Sequence, residues 1–179
     1  MAIEESPPVE TGDGLVPQEP GWYVVNARET RWVGQDGLWR GAWLEPEGQP
    51  WPGLGFNLTV LDPGNPMARH HAESNQEDFL VVSGECLLVI EGEERLLRQW
   101  DFVHCPPWTE HVLIGAGVRP AVVVAVSTRA PDAGVRYVAS EVADRHGASP
   151  QHDTEQAAEA YADDAPPQLL AYREDDLPG

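Results

Sequence analysis

GNPMARHHAESNQEDFLVVSG, residues Gly64–Gly84, and WDFVHCPPWTEHVLIG, residues Trp100–Gly115, set His and Glu side chains between short apolar runs. Runs of this length separated by turn residues are typical of β-strands. Alternate residues of a strand share one face, so a His-x-Glu spacing presents two donors to the same side. Imidazole and carboxylate together suit Fe, Mn, Ni, Zn or Cu better than Ca or Mg. The two segments therefore predict a divalent transition metal site within a β structure.

Both segments resemble the two conserved motifs of the cupin superfamily. Pro106 and His111 match the second motif, whereas Trp100 and Trp108 replace its glycines and Gly115 replaces its asparagine. The first motif is also altered, since its His-x-His pair is not intact. The resemblance implies an all-β double-stranded β-helix, the cupin jelly-roll barrel, here followed by short C-terminal helices. It also implies a small-molecule ligand, because superfamily members include dioxygenases, decarboxylases, isomerases and binding proteins.

Two alignments of the first motif compete. If Gly64 fixes the register, His70 is the first ligand and Ala72 takes the second position, so that one ligand is lost. A shift of one residue instead aligns His71 and Glu73, and a one-residue shift turns every side chain to the opposite face. We favour the shifted register because only it supplies a full set of donors. The predicted metal ligands are His71, Glu73, Glu77 and His111.

Glu77 is also the predicted catalytic residue. Four further residues are predicted to flank the site or line the ligand pocket: His70, Phe102, His104 and Trp108. For His70 and Glu73, an ordinary solvated or backbone-bonded polar side chain remains an alternative. His104 faces either the cavity or the exterior in this interpretation.

Composition limits the function classes. The 179 residues include 11 Arg, no Lys and 30 acidic residues, for a net charge of −19. This charge argues against nucleic acid and anionic membranes as partners. The chain shows no secretory signal, and its longest apolar run, Ala121–Val126, is too short for a membrane span. We therefore expect a cytoplasmic protein whose two cysteines, Cys86 and Cys105, are buried thiols.

The chain divides into three predicted parts. Residues 1–20, rich in Pro, Glu and Gly, are expected to be disordered or loosely attached. Residues 21–138 hold the recurring apolar runs and form the barrel. Residues 139–179 contain two short helices, capped by Ser140 and Thr154 and packed on the outside of the barrel, and end in a mobile acidic tail.

Two functions of different classes follow from this interpretation. The first is a metal-dependent enzyme of the dioxygenase, decarboxylase or isomerase type that acts on a small polar metabolite. The second is a non-catalytic small-molecule-binding or sensory barrel with a structural metal or none. The four donor-type residues favour the enzyme, and the altered His-x-His pair favours the binding protein. We also expect a homodimer, because a single jelly roll leaves sheet edges that need cover.

Overall fold

The computed structural model describes residues 2–48 and 51–179, so Met1 of the predicted N-terminal segment and residues 49–50 of the predicted barrel lie outside the described residues. The strands are β1 (Val9–Thr11), β2 (Gly14–Val16), β3 (Trp32–Gly34), β4 (Arg40–Ala42), β5 (Leu54–Leu61), β6 (His71–Glu73), β7 (Glu77–Ser83), β8 (Glu85–Ile90), β9 (Glu93–Arg98), β10 (Phe102–Cys105), β11 (His111–Ala116), β12 (Ala121–Thr128), β13 (Val135–Tyr137) and β14 (Gln168–Leu170). The helices are α1 (Glu141–Asp144) and α2 (Ala157–Ala160).

Two antiparallel sheets form the barrel. The larger sheet has the order β10-β7-β12-β5-β4-β3-β14, and the smaller has the order β13-β6-β11-β8-β9. Apolar side chains from both sheets meet in one core, including Phe79 and Val123 from the larger sheet and Leu88 and Leu113 from the smaller. This arrangement confirms the predicted all-β double-stranded β-helix with short helices.

Alternation along β12 shows why the sequence folds in this way. Ala121, Val123 and Ala125 join the core between the sheets, whereas Val122 packs in a separate cluster on the outer face. Because strand side chains alternate, a strand that is apolar at every position needs cover on both faces. The remaining parts of the chain provide that cover.

The region around α1 covers the outer face of the smaller sheet. Val112 and Ile114 of β11 pack against Ala143 and Ala148 in this region. The Ser140 hydroxyl accepts a hydrogen bond from the Ala143 amide at 3.3 Å, as predicted for a helix cap. The second helix is shorter than the sequence suggests, and its cap is Gln156 rather than Thr154.

The C-terminal segment covers the larger sheet. Leu170, Tyr172 and Leu177 pack on an outer cluster that contains the fully buried Trp32. The prediction of a mobile tail, residues 171–179, is therefore wrong for Tyr172 and Leu177, which are packed on this cluster. Directly before the tail, β14 adds to the sheet beside β3. Sequence analysis missed this strand because it is only three residues long and contains two apolar residues, Leu169 and Leu170. The N-terminal prediction also differs from the structure, since β1 and β2 form a hairpin within residues 9–16.

The turn at Ser83 and Gly84 does not close a hairpin, although its sequence resembles one. Strand β7 pairs with β10 and β12, whereas β8 pairs with β9 and β11 in the other sheet. Gly84 has a φ of +75°, and a Cβ there would lie 2.7 Å from the Pro120 carbonyl oxygen. Gly84 therefore lets the chain pass from one sheet to the other.

No helix among residues 2–48 and 51–179 is long and apolar enough to cross a membrane.

Candidate metal centre

Strand pairing brings two histidines together on the inner face of the smaller sheet. His71 of β6 lies directly opposite His111 of β11, and their ring centroids are 4.9 Å apart. Glu77 begins β7 in the facing sheet, and its Oε2 lies 3.3 Å from His111 Nε2 and 3.8 Å from His71 Nε2. One donor atom from each of the three residues lies within 4.8 Å of the other two. Two imidazoles and one carboxylate thus converge across the barrel.

Backbone carbonyls fix the orientation of both imidazole rings. Nδ1 of His71 donates to the Arg69 carbonyl oxygen at 2.7 Å, and Nδ1 of His111 donates to the Thr109 carbonyl oxygen at 3.0 Å. A carbonyl oxygen can only accept, so each neutral ring carries its proton on Nδ1 and its lone pair on Nε2. Ligating histidines in metal sites commonly have such hydrogen bonds, which fix the tautomer.

The donor set fits a divalent transition metal ion. His111 Nε2 is buried and forms no hydrogen bond with any group in the described part of the chain, despite its short distance to Glu77. A buried polar atom without a partner is costly, and a metal ion would satisfy this lone pair. Two imidazole nitrogens and one carboxylate give three protein ligands, which leaves at least one coordination position of the ion free for a ligand or water.

The two residues that separate the alternative registers lie on opposite sides of β6. Glu73 shares the face of His71, and its Oε1 is 3.9 Å from His71 Nε2, although it lies outside the group of three. His70 is buried on the other side, where its Nδ1 donates to the Val138 carbonyl oxygen at 2.9 Å. This placement supports the shifted register, with Glu73 at the margin of the site.

Burial and charge act oppositely on the site residues. Burial lowers the pKa of His71, but the hydrogen bond and charge of Glu77 outweigh it, so the pKa lies above the ordinary value. Burial and the charge of His71 lower the pKa of His111, with Glu77 opposing them. Burial, followed by the charge of Glu77, raises the pKa of Glu73. A proton in the metal-free site is therefore held mainly on His71.

We predict that His71 and His111 titrate in a fixed order in the metal-free protein. As pH falls, His71 should become an imidazolium first, while His111 remains neutral until the pH is lower. Because the pKa of His71 is raised by folding, the stability it contributes is present at low pH and is lost as pH rises through that pKa. A nitrogen-detected NMR titration measures both rings. Protonation of His111 before His71 would contradict this description of the site.

A cavity of about 260 Å³ opens beside the three donors. Its walls include Asn57 and Thr59 of β5. Sequence analysis did not identify Trp39, Met67 or Phe79, which also line it. For Phe79, the alternation Glu77-x-Phe79 places both side chains on one face, a signal that was available in the sequence.

None of the four residues predicted to line the pocket does so. In β10, Val103 and Cys105 face the core, so the alternate residues Phe102 and His104 face outward. His104 pairs instead with Asp78, at 2.6 Å. Trp108 is half exposed beside Gly134, and His70 is buried behind β6. The lining of the cavity therefore differs from the prediction. Phe102 and His104 are excluded from the cavity because Val103 and Cys105 take the inward-facing positions of β10.

Comparisons with known proteins agree with this geometry. The sequence model of the Cupin domain family matches residues 57–127, which include all three convergent residues. No curated protein matches the chain.

Several solved structures are similar. A sugar phosphate isomerase of the cupin superfamily from Silicibacter pomeroyi is 25% identical with a TM-score of 0.50, and the match covers 56% of this chain. The match spans 64% of that isomerase, which is less than two thirds of its length. An RmlC-like cupin from Shewanella frigidimarina is 18% identical with a TM-score of 0.51, over 60% of this chain and 91% of that one. The polyketide cyclase RemF from Streptomyces resistomycificus is 13% identical with a TM-score of 0.47, over 56% of this chain and 71% of that one.

The family match over residues 57–127 and the jelly-roll topology agree, and this part of the chain resembles the cupin superfamily.

Proposed function

We propose that this protein is a metal-dependent enzyme that acts on a small oxygenated metabolite. His71, Glu77 and His111 would hold a divalent Fe, Mn, Ni, Zn or Cu ion, with Glu73 as a further donor at the margin. The observation that carries the proposal is the convergence of the three donors, with a buried and unsatisfied Nε2 on His111, beside an accessible cavity. Such a site is open on one side, as catalytic metal sites are.

The ion and the side chains of the protein would have different roles in the reaction. When bound, the ion would act as a Lewis acid that polarises an oxygen of the ligand. Glu77 carries two carboxylate oxygens, so that one can serve the ion while the other accepts a proton from a ligand in the cavity. Phe79 packs against the His111 ring, with 5.3 Å between the ring centroids, and would present an apolar surface to the ligand in the cavity.

Among the reaction types that suit this site, we favour an isomerase. The support is the S. pomeroyi isomerase, which shares the fold at 25% identity. Isomerisation of a hydroxycarbonyl compound requires proton transfer next to a carbonyl, and a metal ion with an adjacent carboxylate can promote this step.

A deuterium-exchange assay tests this proposal. Protein loaded in turn with each of the five metals is incubated with small hydroxycarbonyl compounds in D₂O, and exchange next to the carbonyl is followed by NMR. An oxygen electrode tests the dioxygenase alternative in the same samples. We expect metal-dependent exchange that is lost in Glu77→Gln and retained in the control His104→Gln, since His104 faces outward. Absence of all turnover with every metal would contradict the enzyme assignment.

A non-catalytic binding or sensory barrel is the second candidate. The altered His-x-His pair favours it, because Glu73 stands in place of the second His and lies outside the group of three convergent donors. A ligand-binding barrel would bind the ligand without turnover in the unsubstituted protein and would retain that affinity in Glu77→Gln, whereas the enzyme would show turnover that Glu77→Gln abolishes. Measurement of ligand affinity alongside exchange therefore separates the two candidates.

We further propose a cytoplasmic homodimer. Trp22 and Val24 are exposed, at 50% and 77%, and a second copy of the chain would cover this apolar surface. Both cysteines are free thiols, which suits a reducing compartment. Light scattering at low micromolar concentration, in enough salt to screen the net charge of −19, should give twice the chain mass of 19.6 kDa. A mass equal to one chain would contradict the dimer.

A further inference from the structure

A second cavity of about 340 Å³ adjoins the metal cavity. We call it the annex; its walls come from β3, β4, β5 and the segment that follows β4. Trp39, Asn57 and Thr59 line both cavities, so the two cavities meet at these residues. A ligand that extends from the metal centre past these residues would reach the annex.

The annex is predominantly apolar. Beyond the shared boundary, its larger apolar wall residues are Trp43, Leu44, Pro46, Phe56 and Leu58. The Trp43 side chain is 38% exposed. Aromatic surfaces of this kind bind planar apolar groups by stacking and by burial of apolar area.

The annex offers no free positive charge. Apart from the two histidines proposed as metal ligands, Arg129 is the one basic side chain among the described residues that line the two cavities. Its two terminal nitrogens bind the two carboxylate oxygens of Glu45, each at 2.8 Å, and one also donates to the Trp51 carbonyl oxygen. A phosphate group is normally held by free cations or clustered backbone amides. The paired Arg129 does not provide such a site.

We propose that the two cavities form one composite substrate site. The substrate would carry an oxygen donor group at the metal centre and an uncharged planar apolar group in the annex. This inference rests on the proposed metal-dependent function, and it narrows the substrate class. It sets this protein apart from the sugar phosphate isomerase that it resembles, because the site is built for an apolar group in place of a phosphate.

Two ligands with the same metal-binding group test the composite site. Acetohydroxamate reaches only the metal centre, whereas naphthohydroxamate adds a planar bicyclic group. With zinc-loaded protein, calorimetry should show naphthohydroxamate binding about tenfold or more tightly, from the apolar area that the annex buries. Trp43→Ala and Phe56→Ala should each remove most of this gain and leave acetohydroxamate affinity within about twofold of wild type. Either variant can be used if the other fails to fold.

The outcomes distinguish the two proposals. If neither hydroxamate binds to protein loaded with zinc, the proposed metal centre is wrong. If both bind with equal affinity, or if the gain survives both annex substitutions, the metal centre stands and the composite site is wrong. Phosphoglycolate and glycolate provide the second comparison, in which the phosphate should give no gain in affinity. Tighter binding of phosphoglycolate would overturn the proposed substrate class.

Discussion

Protein carrying His111→Ala is expected to lose its bound metal. His111 is buried in the barrel wall and its Nε2 faces Glu77, so no neighbouring side chain can replace the missing donor. Loss of a direct ligand should lower metal affinity by about a hundredfold or more, beyond the typical effect of removing a group that only orients a ligand. Glu77→Ala should have a similar effect. Metal content after purification without chelator, measured by mass spectrometry, gives the result.

His70→Ala is the matched control for this prediction. His70 is as buried as His111, but it lies on the other face of β6 and bonds to the Val138 carbonyl oxygen. Its removal should lower stability without emptying the site. Glu73→Ala should weaken metal binding by a smaller factor than Glu77→Ala, because Glu73 lies at the margin. A metal-free His70→Ala protein, or a His111→Ala protein with full metal content, would show that the ligand set is wrong.

Removal of the Asp176 carboxylate is expected to destabilise the whole fold. Asp176 is buried in the C-terminal segment and accepts from Arg40 Nε at 2.6 Å, while Arg40 Nη1 binds Asp62 at 2.6 Å. Burial lowers the pKa of Arg40, but the hydrogen bonds to Asp176 and Asp62 outweigh it, so the net shift is upward. Asp176→Ala leaves this buried guanidinium with one carboxylate in place of two. We expect a loss of about 2–3 kcal/mol in the free energy of unfolding.

Chemical denaturation measures this effect, and Asp175→Ala provides the control. Asp175 is exposed, so its substitution should change the free energy of unfolding by less than about 0.5 kcal/mol. The two variants remove the same charge from the same segment, which separates the buried ion pair from the effect of net charge. Equal stability of the two variants would mean that the C-terminal segment does not hold β3 and β4 in place.

The barrel could be predicted from the sequence because its strands show local patterns. Short apolar runs between turn residues identified most of the strands, and the two motif segments showed the resemblance to the cupin superfamily. Strand β14 could not be found in this way, since a three-residue strand gains its stability from pairing with β3 and not from its own pattern. The partners of β7 were also hidden, because the sequence near Gly84 fits a hairpin as well as a crossing between sheets.

The candidate metal centre was accessible to sequence analysis for a similar reason. His71 and Glu73 share a face by alternation, and His111 stands in a recognisable motif. The pocket lining was not accessible, because it depends on which face of β10 points inward. Val103 and Cys105 take the inner face, so Phe102 and His104 are directed outward. Trp39 lies outside both motifs, and only the three-dimensional fold brings it beside the metal centre.

Anomalous diffraction from crystals of manganese-loaded or zinc-loaded protein tests the central claim most directly. We predict one ion bound by Nε2 of His71, Nε2 of His111 and a carboxylate oxygen of Glu77, with water or an added anion completing its coordination. An anomalous peak at another group of residues, or a peak at this site enclosed by protein donors alone, would contradict an open metal centre in this barrel.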